Sequence, residues 1–218
     1  MPYGWCSIYL RLSVQSGIIL SSPKHLVSQT MNPSIFKLKQ IGSGDLYIMP
    51  CPRSQVLAED MAHYLELGIN TIVCLLEKPE LIARGLALEE RICRELGISF
   101  VHFPIPDRST PSNLLAFRQL VDKLELELKQ GHRVAIHCYA GIGRTGILAG
   151  SLLIRDGMTP HAAIELMSEV RGRNMPQTQA QYEFLVENDE QHALADRDSM
   201  NTPARPWWQR LISWSPVT

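Results

Sequence analysis

An apolar run, Val134-Ala135-Ile136, leads into His137-Cys138-Tyr139-Ala140-Gly141-Ile142-Gly143-Arg144-Thr145, and an apolar periodic segment from Ile147 to Ile154 follows. No other feature constrains the fold as much, because it requires a buried strand, a tight loop and a helix start in succession. Backbone N–H groups of a loop that opens a helix converge on one concavity, where the helix dipole adds partial positive charge. A phosphate-sized anion fits such a nest. Gly141 and Gly143 allow backbone angles and close approaches that a Cβ would obstruct, and Arg144 supplies a planar fork for two anion oxygens.

The cysteine in this loop acquires a chemistry. A free thiol titrates at about 8.5, whereas thiols at helix N-termini beside arginine fall to roughly 3.5–7.5. Cys138 is therefore a candidate nucleophile, and the Thr145 hydroxyl is placed to hydrogen-bond the sulfur and stabilise it as a leaving group. A lone cysteine is more often a buried, inert thiol. Here the spacing, both glycines, His137 and Thr145 all agree on the reactive reading.

Outward from the loop, segments alternate. Asp45–Met49 reads as a strand, and Ser54–Leu67 as a helix N-capped by Ser54 and stopped at Gly68. Thr71–Leu76 is a strand buried on both faces, Pro79–Leu96 a second helix, Ile98–Pro104 a strand, Pro111–Gln130 a third helix and Arg133–His137 the strand that delivers Cys138. Three further helices are expected, at Arg144–Arg155, Thr159–Arg171 and Gln177–Ala195. Such alternation predicts an α/β fold with a central, mainly parallel sheet of four to five strands flanked by helices. A nucleophile at the carboxyl end of a central strand is where such sheets bind ligands.

The loop resembles H-C-x5-R-[S/T] of the cysteine-dependent protein phosphatases, the tyrosine and dual-specificity superfamily. The similarity extends over about residues 42–190 and is greatest to the small dual-specificity-like group of cyclin-dependent-kinase inhibitor 3 and its bacterial relatives. Rhodanese-type loops also join a Cys to an Arg, but they are one residue shorter. The resemblance implies the three-layer sandwich of protein tyrosine phosphatases, no metal and no cofactor. It also implies a general acid on a loop facing Cys138. Asp107, in Phe103-Pro104-Ile105-Pro106-Asp107, lies 31 residues before Cys138 and matches that loop, whereas Asp122 and Asp156 fall on or after helices. Gln177-Thr178-Gln179-Ala180-Gln181 resembles the glutamine loop, whose first and fifth positions, here Gln177 and Gln181, touch the hydrolytic water and the phosphoryl group. His137 takes the supporting role of organising the loop. Arg53 is read as an exposed helix-start residue rather than one reaching the loop. Cys74 forms a protective disulfide with Cys138 only if its strand neighbours that cysteine.

The expected reaction is hydrolysis of a phosphorylated protein or peptide, on phosphotyrosine and also phosphoserine or phosphothreonine, through a cysteinyl-phosphate. Two alternatives stay open: a phosphoprotein-binding module of the same fold, and a phosphatase of a non-protein ester. Tyr139, Ala140, Gly141, Ile142 and Gly143 include no basic residue, which argues against polyphosphoinositides. A formal charge of −1 with acids and bases interspersed gives no footprint for nucleic acid. Five scattered cysteines, with no C-x2-C pair, and no apolar stretch of spanning length point to a reduced, cytoplasmic chain. Residues 1–40 read as an extension, either disordered or the product of an upstream start. Residues 41–195 form the phosphatase domain. Residues 196–218 form a tail whose Trp207, Trp208, Leu211 and Ile212 make a short apolar stripe, suited to docking on the domain or, less simply, to a partner or membrane surface.

Overall fold

A computed structural model of the chain describes residues 32–187. Five strands, β1 (Phe36–Ile41), β2 (Gly44–Met49), β3 (Thr71–Cys74), β4 (Ser99–His102) and β5 (Arg133–His137), form one sheet in the order β1-β2-β5-β3-β4. The β2, β5, β3 and β4 strands run parallel, and β1 pairs antiparallel with β2. The expected mainly parallel α/β sheet is thus present, with β5 at its centre.

The edge strand corrects one boundary, since residues 36–40 had been assigned to the extension. Its alternation of Lys37 and Lys39 with Leu38 and Ile41 reads as polar, yet Leu38 and Ile41 are buried against the sheet's core. Lys37 pairs with Asp45 at 2.7 Å and Lys39 with Asp156 at 2.6 Å, and the β1–β2 register shifts between the two lysines. Residues 1–31 and the Trp-bearing tail lie outside the described residues.

Strand side chains alternate between two cores. Val134 and Ile136 join one with Leu46, Ile48 and Val73, covered by α4 (Leu114–Lys129), α5 (Gly143–Arg155) and α6 (Pro160–Arg171). Ala135, Ile72 and Cys74 join the other, covered by α1 (Leu57–Glu66) and α3 (Glu89–Glu95). This is the expected three-layer sandwich.

Several helix bounds differ from expectation for identifiable reasons. Ser54 does not cap α1: Ser54–Val56 is a 3-10 turn, and no side-chain cap bond forms there. The expected single helix over Pro79–Leu96 is two, because Gly85, at φ 70°, ends α2 (Lys78–Ala83). Leu86 N–H donates to Leu81 O (2.8 Å), closing that end before α3 begins. The third helix starts at Leu114 rather than Pro111, since the Asn113 side chain accepts from Ala116 N–H. The last helix starts at residue 179, two positions later than expected, and is described to residue 187.

Candidate active site

Parallel strands carry their carboxyl ends to one edge, and β5 ends there at His137, immediately before Cys138. The loop turns back under β2: Cys51 N–H donates to Tyr139 O (2.9 Å), and a Cβ on Gly141, at φ 67°, would lie 2.3 Å from Met49 O. Gly143 is required for a second reason. A Cβ there would lie 2.8 Å from Gln181 Oε1 and 3.2 Å from Gln177 Cβ. No side chain caps α5, so the N–H groups of its first turn are left for the pocket.

The Cys138 sulfur is nearly enclosed. Burial alone would raise its pKa, but the Thr145 hydroxyl, the backbone N–H groups of Thr145 and Ile142, and the Arg144 charge together hold it below the ordinary thiol value. The buried Thr145 hydroxyl is the strongest of the groups that lower the Cys138 pKa. We expect Thr145→Val to move the pH midpoint of Cys138 alkylation upward, leaving less thiolate at neutral pH, whereas Thr145→Ser leaves it near wild type. Iodoacetamide labelling across pH measures this.

Arg144 is 2% exposed and is held from three sides. Glu80 grips it in bidentate fashion, Oε2 at 2.6 Å from Nη1 and Oε1 at 2.9 Å from Nη2; Nη1 also donates to Ile105 O at 3.1 Å. Asp107 Oδ1 lies 3.1 Å from Nη2. Glu80 is itself fixed by a capping box, accepting from Glu77 N–H at 2.9 Å. The Arg144 hydrogen bond, and secondarily that N–H, outweigh burial and hold the Glu80 carboxyl below its usual value.

Sequence reasoning missed Glu80. The E-x-x-E box of Glu77 and Glu80 is visible as a helix start, but nothing in its spacing points 64 residues onward. Glu80→Gln is expected to lower kcat/KM by about 10- to 100-fold by loosening the guanidinium, with a smaller effect on melting temperature than Glu80→Ala; steady-state kinetics and thermal melts separate the two.

A pocket of about 190 Å³ brings Asp107, Cys138, Tyr139, Arg144 and Gln177 together, with Arg108 and Gly143 also on its wall. Asp107 is exposed on the loop after β4, as the sequence predicted. The two glutamines differ in placement. Gln177 opens onto the pocket, whereas the buried Gln181 directs its amide to backbone, accepting from Gln177 N–H and Thr178 N–H (both 3.2 Å) and donating to Ser109 O (3.0 Å). Gln181 thus ties the glutamine loop to the Asp107 loop.

His137 is fully buried, with Nδ1 3.2 Å from Cys138 O and Nε2 2.9 Å from Glu89 Oε1, an ion pair rather than an aligned hydrogen bond. Burial pulls its pKa down, but Glu89 and Cys74 outweigh it and hold the imidazole protonated well above the ordinary histidine value. Cys74 does pair in register with His137, one residue before Cys138. Strand parity, however, sends it to the other core, where its sulfur lies within 4.8 Å of ligand atoms of His137 and Glu89. Cys74 is thus a core residue, as most cysteines on such strands are, and it lies in a buried cluster with Glu89 and His137 rather than in a disulfide with Cys138. Arg53 is engaged by the buried Asp60, Asp122 by Arg155 (2.9 Å) and Asp156 by Lys39, so none of these reaches the pocket.

A parallel sheet whose central strand ends in a buried, pKa-lowered thiol, over a helix N-terminus and beside a gripped arginine, defines the class of cysteine-dependent phosphatases. Residues 49–158 match the family described as polymorphic toxin system, DSP-PTPase phosphatase. The chain belongs to this family of dual-specificity and tyrosine phosphatases. It is 36% identical over 149 residues to cyclin-dependent kinase inhibitor 3 of Rattus norvegicus, covering 66% of this chain and 70% of that one. Against the Homo sapiens protein of the same name it is 30% identical over 147 residues, covering 66% and 69%. Kinase associated phosphatase, solved with its catalytic-site cysteine replaced by serine, superposes with a TM-score of 0.69 at 26% identity over 76% of this chain and 98% of that one.

Proposed function

We propose that the chain hydrolyses phosphoprotein or phosphopeptide substrates, on phosphotyrosine with phosphoserine and phosphothreonine as further substrates, through a cysteinyl-phosphate on Cys138. The observation that carries this reading is the convergence of Cys138, Arg144, Asp107 and Gln177 on one pocket.

In the first step the Cys138 thiolate attacks phosphorus opposite the ester oxygen. The S–P bond forms as the P–O bond breaks, and Asp107 gives its proton to the leaving oxygen. The residue 139–143 amides and Arg144 hold the three remaining phosphoryl oxygens, with charge stabilised in a water-poor site. Arg144 Nη2 already faces Asp107, so an arriving phosphoryl group competes for that contact and releases the carboxyl toward the leaving group. In the second step water attacks phosphorus, Asp107 takes its proton and the S–P bond breaks, returning the thiolate under Thr145. Gln177 orients that water from the pocket wall, and Gln181 holds the glutamine loop and the Asp107 loop in one register. His137, locked by Glu89, supports the loop from beneath.

All four cysteines among the described residues are free, which supports a reducing compartment such as the cytoplasm. No helix among the described residues is long and apolar enough to cross a membrane.

The test is hydrolysis of a small aryl phosphate by the purified chain in excess chelator, followed by a panel of phosphopeptides. Turnover that survives chelator, with release of inorganic phosphate from phosphotyrosyl peptides, is expected. Turnover abolished by chelator would overturn the metal-free mechanism, and binding without turnover would make the chain a phosphoprotein-binding module.

A further inference from the structure

The second core, on the face of β5 away from the reaction pocket, encloses a polar group of mixed chemistry. Cys74 from β3, Glu89 from the start of α3 and His137 from the end of β5 meet there, none more than 1% exposed. Their donor atoms, a sulfur, a carboxylate oxygen and an imidazole nitrogen, all lie within 4.8 Å of one another. The surroundings are apolar: Met49, Met61, Ile72, Leu76 and Leu86 belong to the same cluster. Cys93, the other buried thiol of that core, contacts Met61 Sδ instead (3.4 Å).

The atoms of this group are short of partners. Both Glu89 oxygens and His137 Nε2 are buried without a hydrogen bond, although Nε2 stands 2.9 Å from Oε1. Buried polar atoms are seldom left open, so three aimed into one space need a reason. A cation among them supplies it. Tetrahedral ligands about 2.0–2.3 Å from a metal stand roughly 3.3–3.8 Å apart, which the observed 4.8 Å limit accommodates. The next shell fits as well. A ligating histidine gives its other ring N–H to an acceptor that fixes its orientation, and His137 Nδ1 lies 3.2 Å from Cys138 O.

Charge balance permits the exchange. Without a metal the group is neutral as imidazolium, carboxylate and thiol. A dication that enters while the imidazolium and the thiol each release a proton leaves it neutral again, so neither state strands a net charge in the core. One thiolate, one imidazole and a carboxylate with both oxygens open suit zinc; magnesium and calcium take oxygen ligands. Glu89 follows the exposed Ala87 and Leu88, so an opening of that turn gives an ion its way in.

We propose that Cys74, Glu89 and His137 form a binding site for one divalent cation of the zinc class. The site lies behind the reaction loop and takes no part in the chemistry on Cys138. Its occupant ties β3, α3 and β5 together beneath that loop.

The experiment strips the purified chain with chelator and titrates it with Co²⁺, whose spectrum reports its ligands. About one equivalent is expected to give d–d bands of tetrahedral strength and a thiolate-to-cobalt charge-transfer band, both removed by Zn²⁺. Zn²⁺ is also expected to raise the melting temperature by several degrees, whereas stripping leaves hydrolysis of an aryl phosphate unchanged. Cys138→Ser should keep the charge-transfer band. Cys74→Ser, close in volume to the thiol, should lose it, and Glu89→Gln should weaken Co²⁺ binding by at least about tenfold. X-ray absorption at the zinc edge of Cys138→Ser gives a second reading that needs no change in the core, with one sulfur expected among nitrogen and oxygen neighbours. No charge-transfer band in the wild type overturns the site. So does a band that Cys138→Ser removes and Cys74→Ser keeps, which puts the metal on the reaction thiol. A wild type that binds Co²⁺ through Cys74 but leaves aryl phosphate intact fails the phosphatase reading and not the cation site.

Discussion

Cys138→Ser is expected to lower turnover of an aryl phosphate by at least about four orders of magnitude while leaving the fold and anion binding in place. A serine hydroxyl fits the space of the thiol, and the N–H groups of Ile142 and Thr145 that act on the sulfur belong to the backbone, so the nest survives the exchange. What is lost is the nucleophile, because the same hydrogen bonds that hold a thiol below its usual pKa leave a hydroxyl far from ionised. Rapid quenching followed by intact-mass measurement checks this directly. A phosphoryl adduct should accumulate on the wild type with a fast-leaving substrate and be absent from the variant, while tungstate should protect both against thermal unfolding. Turnover surviving the substitution would falsify the covalent route.

Asp107→Ala should lower kcat by about 10²- to 10⁴-fold, with the larger loss on substrates whose leaving alcohol has a high pKa. An aryl phosphate with an acidic leaving group needs little protonation and should lie at the low end; a phosphoseryl peptide should lie at the high end. KM should fall or stay level, since the alanine frees Arg144 Nη2 from a carboxylate 3.1 Å away and leaves it wholly to the phosphoryl group. The split between kcat and KM distinguishes an acid from a mere positioning group. A uniform loss across leaving groups would remove Asp107 from the proton transfer.

Much of this site is local in sequence, and that part was legible. The glycines, Cys138, Arg144 and Thr145 occupy one strand–loop–helix unit whose geometry follows from residue type and spacing. The parallel sheet was legible for a similar reason: Thr71–Cys74 and Arg133–His137 are apolar runs flanked by helix stops. What was not legible is tertiary. Glu80 reads as a helix-start acid, and only the closeness of α2 to the β5 edge makes it the grip on Arg144. Glu89 reads as one of two solvated acids, although it is 1% exposed beneath His137. The resemblance implies one role for Gln177 and Gln181 alike, yet one helical turn is enough to bury the Gln181 amide among backbone groups. The interior of the loop holds no basic residue, and only the fold brings Arg84, Arg108, Arg171 and Arg173 to its rim from three other segments.

The edge strand β1 has a bearing on solubility. An open sheet edge offers a row of unpaired N–H and C=O groups to which another chain can add, and flat apolar edges are where such association starts. In β1 the outward positions carry Lys37 and Lys39, and the register shift between them twists the ladder, so the strand that ends the sheet is a poor template for a further one. Its inner neighbour β2 has no such protection: five of its six residues are buried, among them Leu46, Ile48 and Met49. A shortened chain starting at the β1–β2 turn would keep every residue of the reaction pocket and still expose an apolar β2 edge. It would be expected to self-associate through added strands rather than to lose its chemistry.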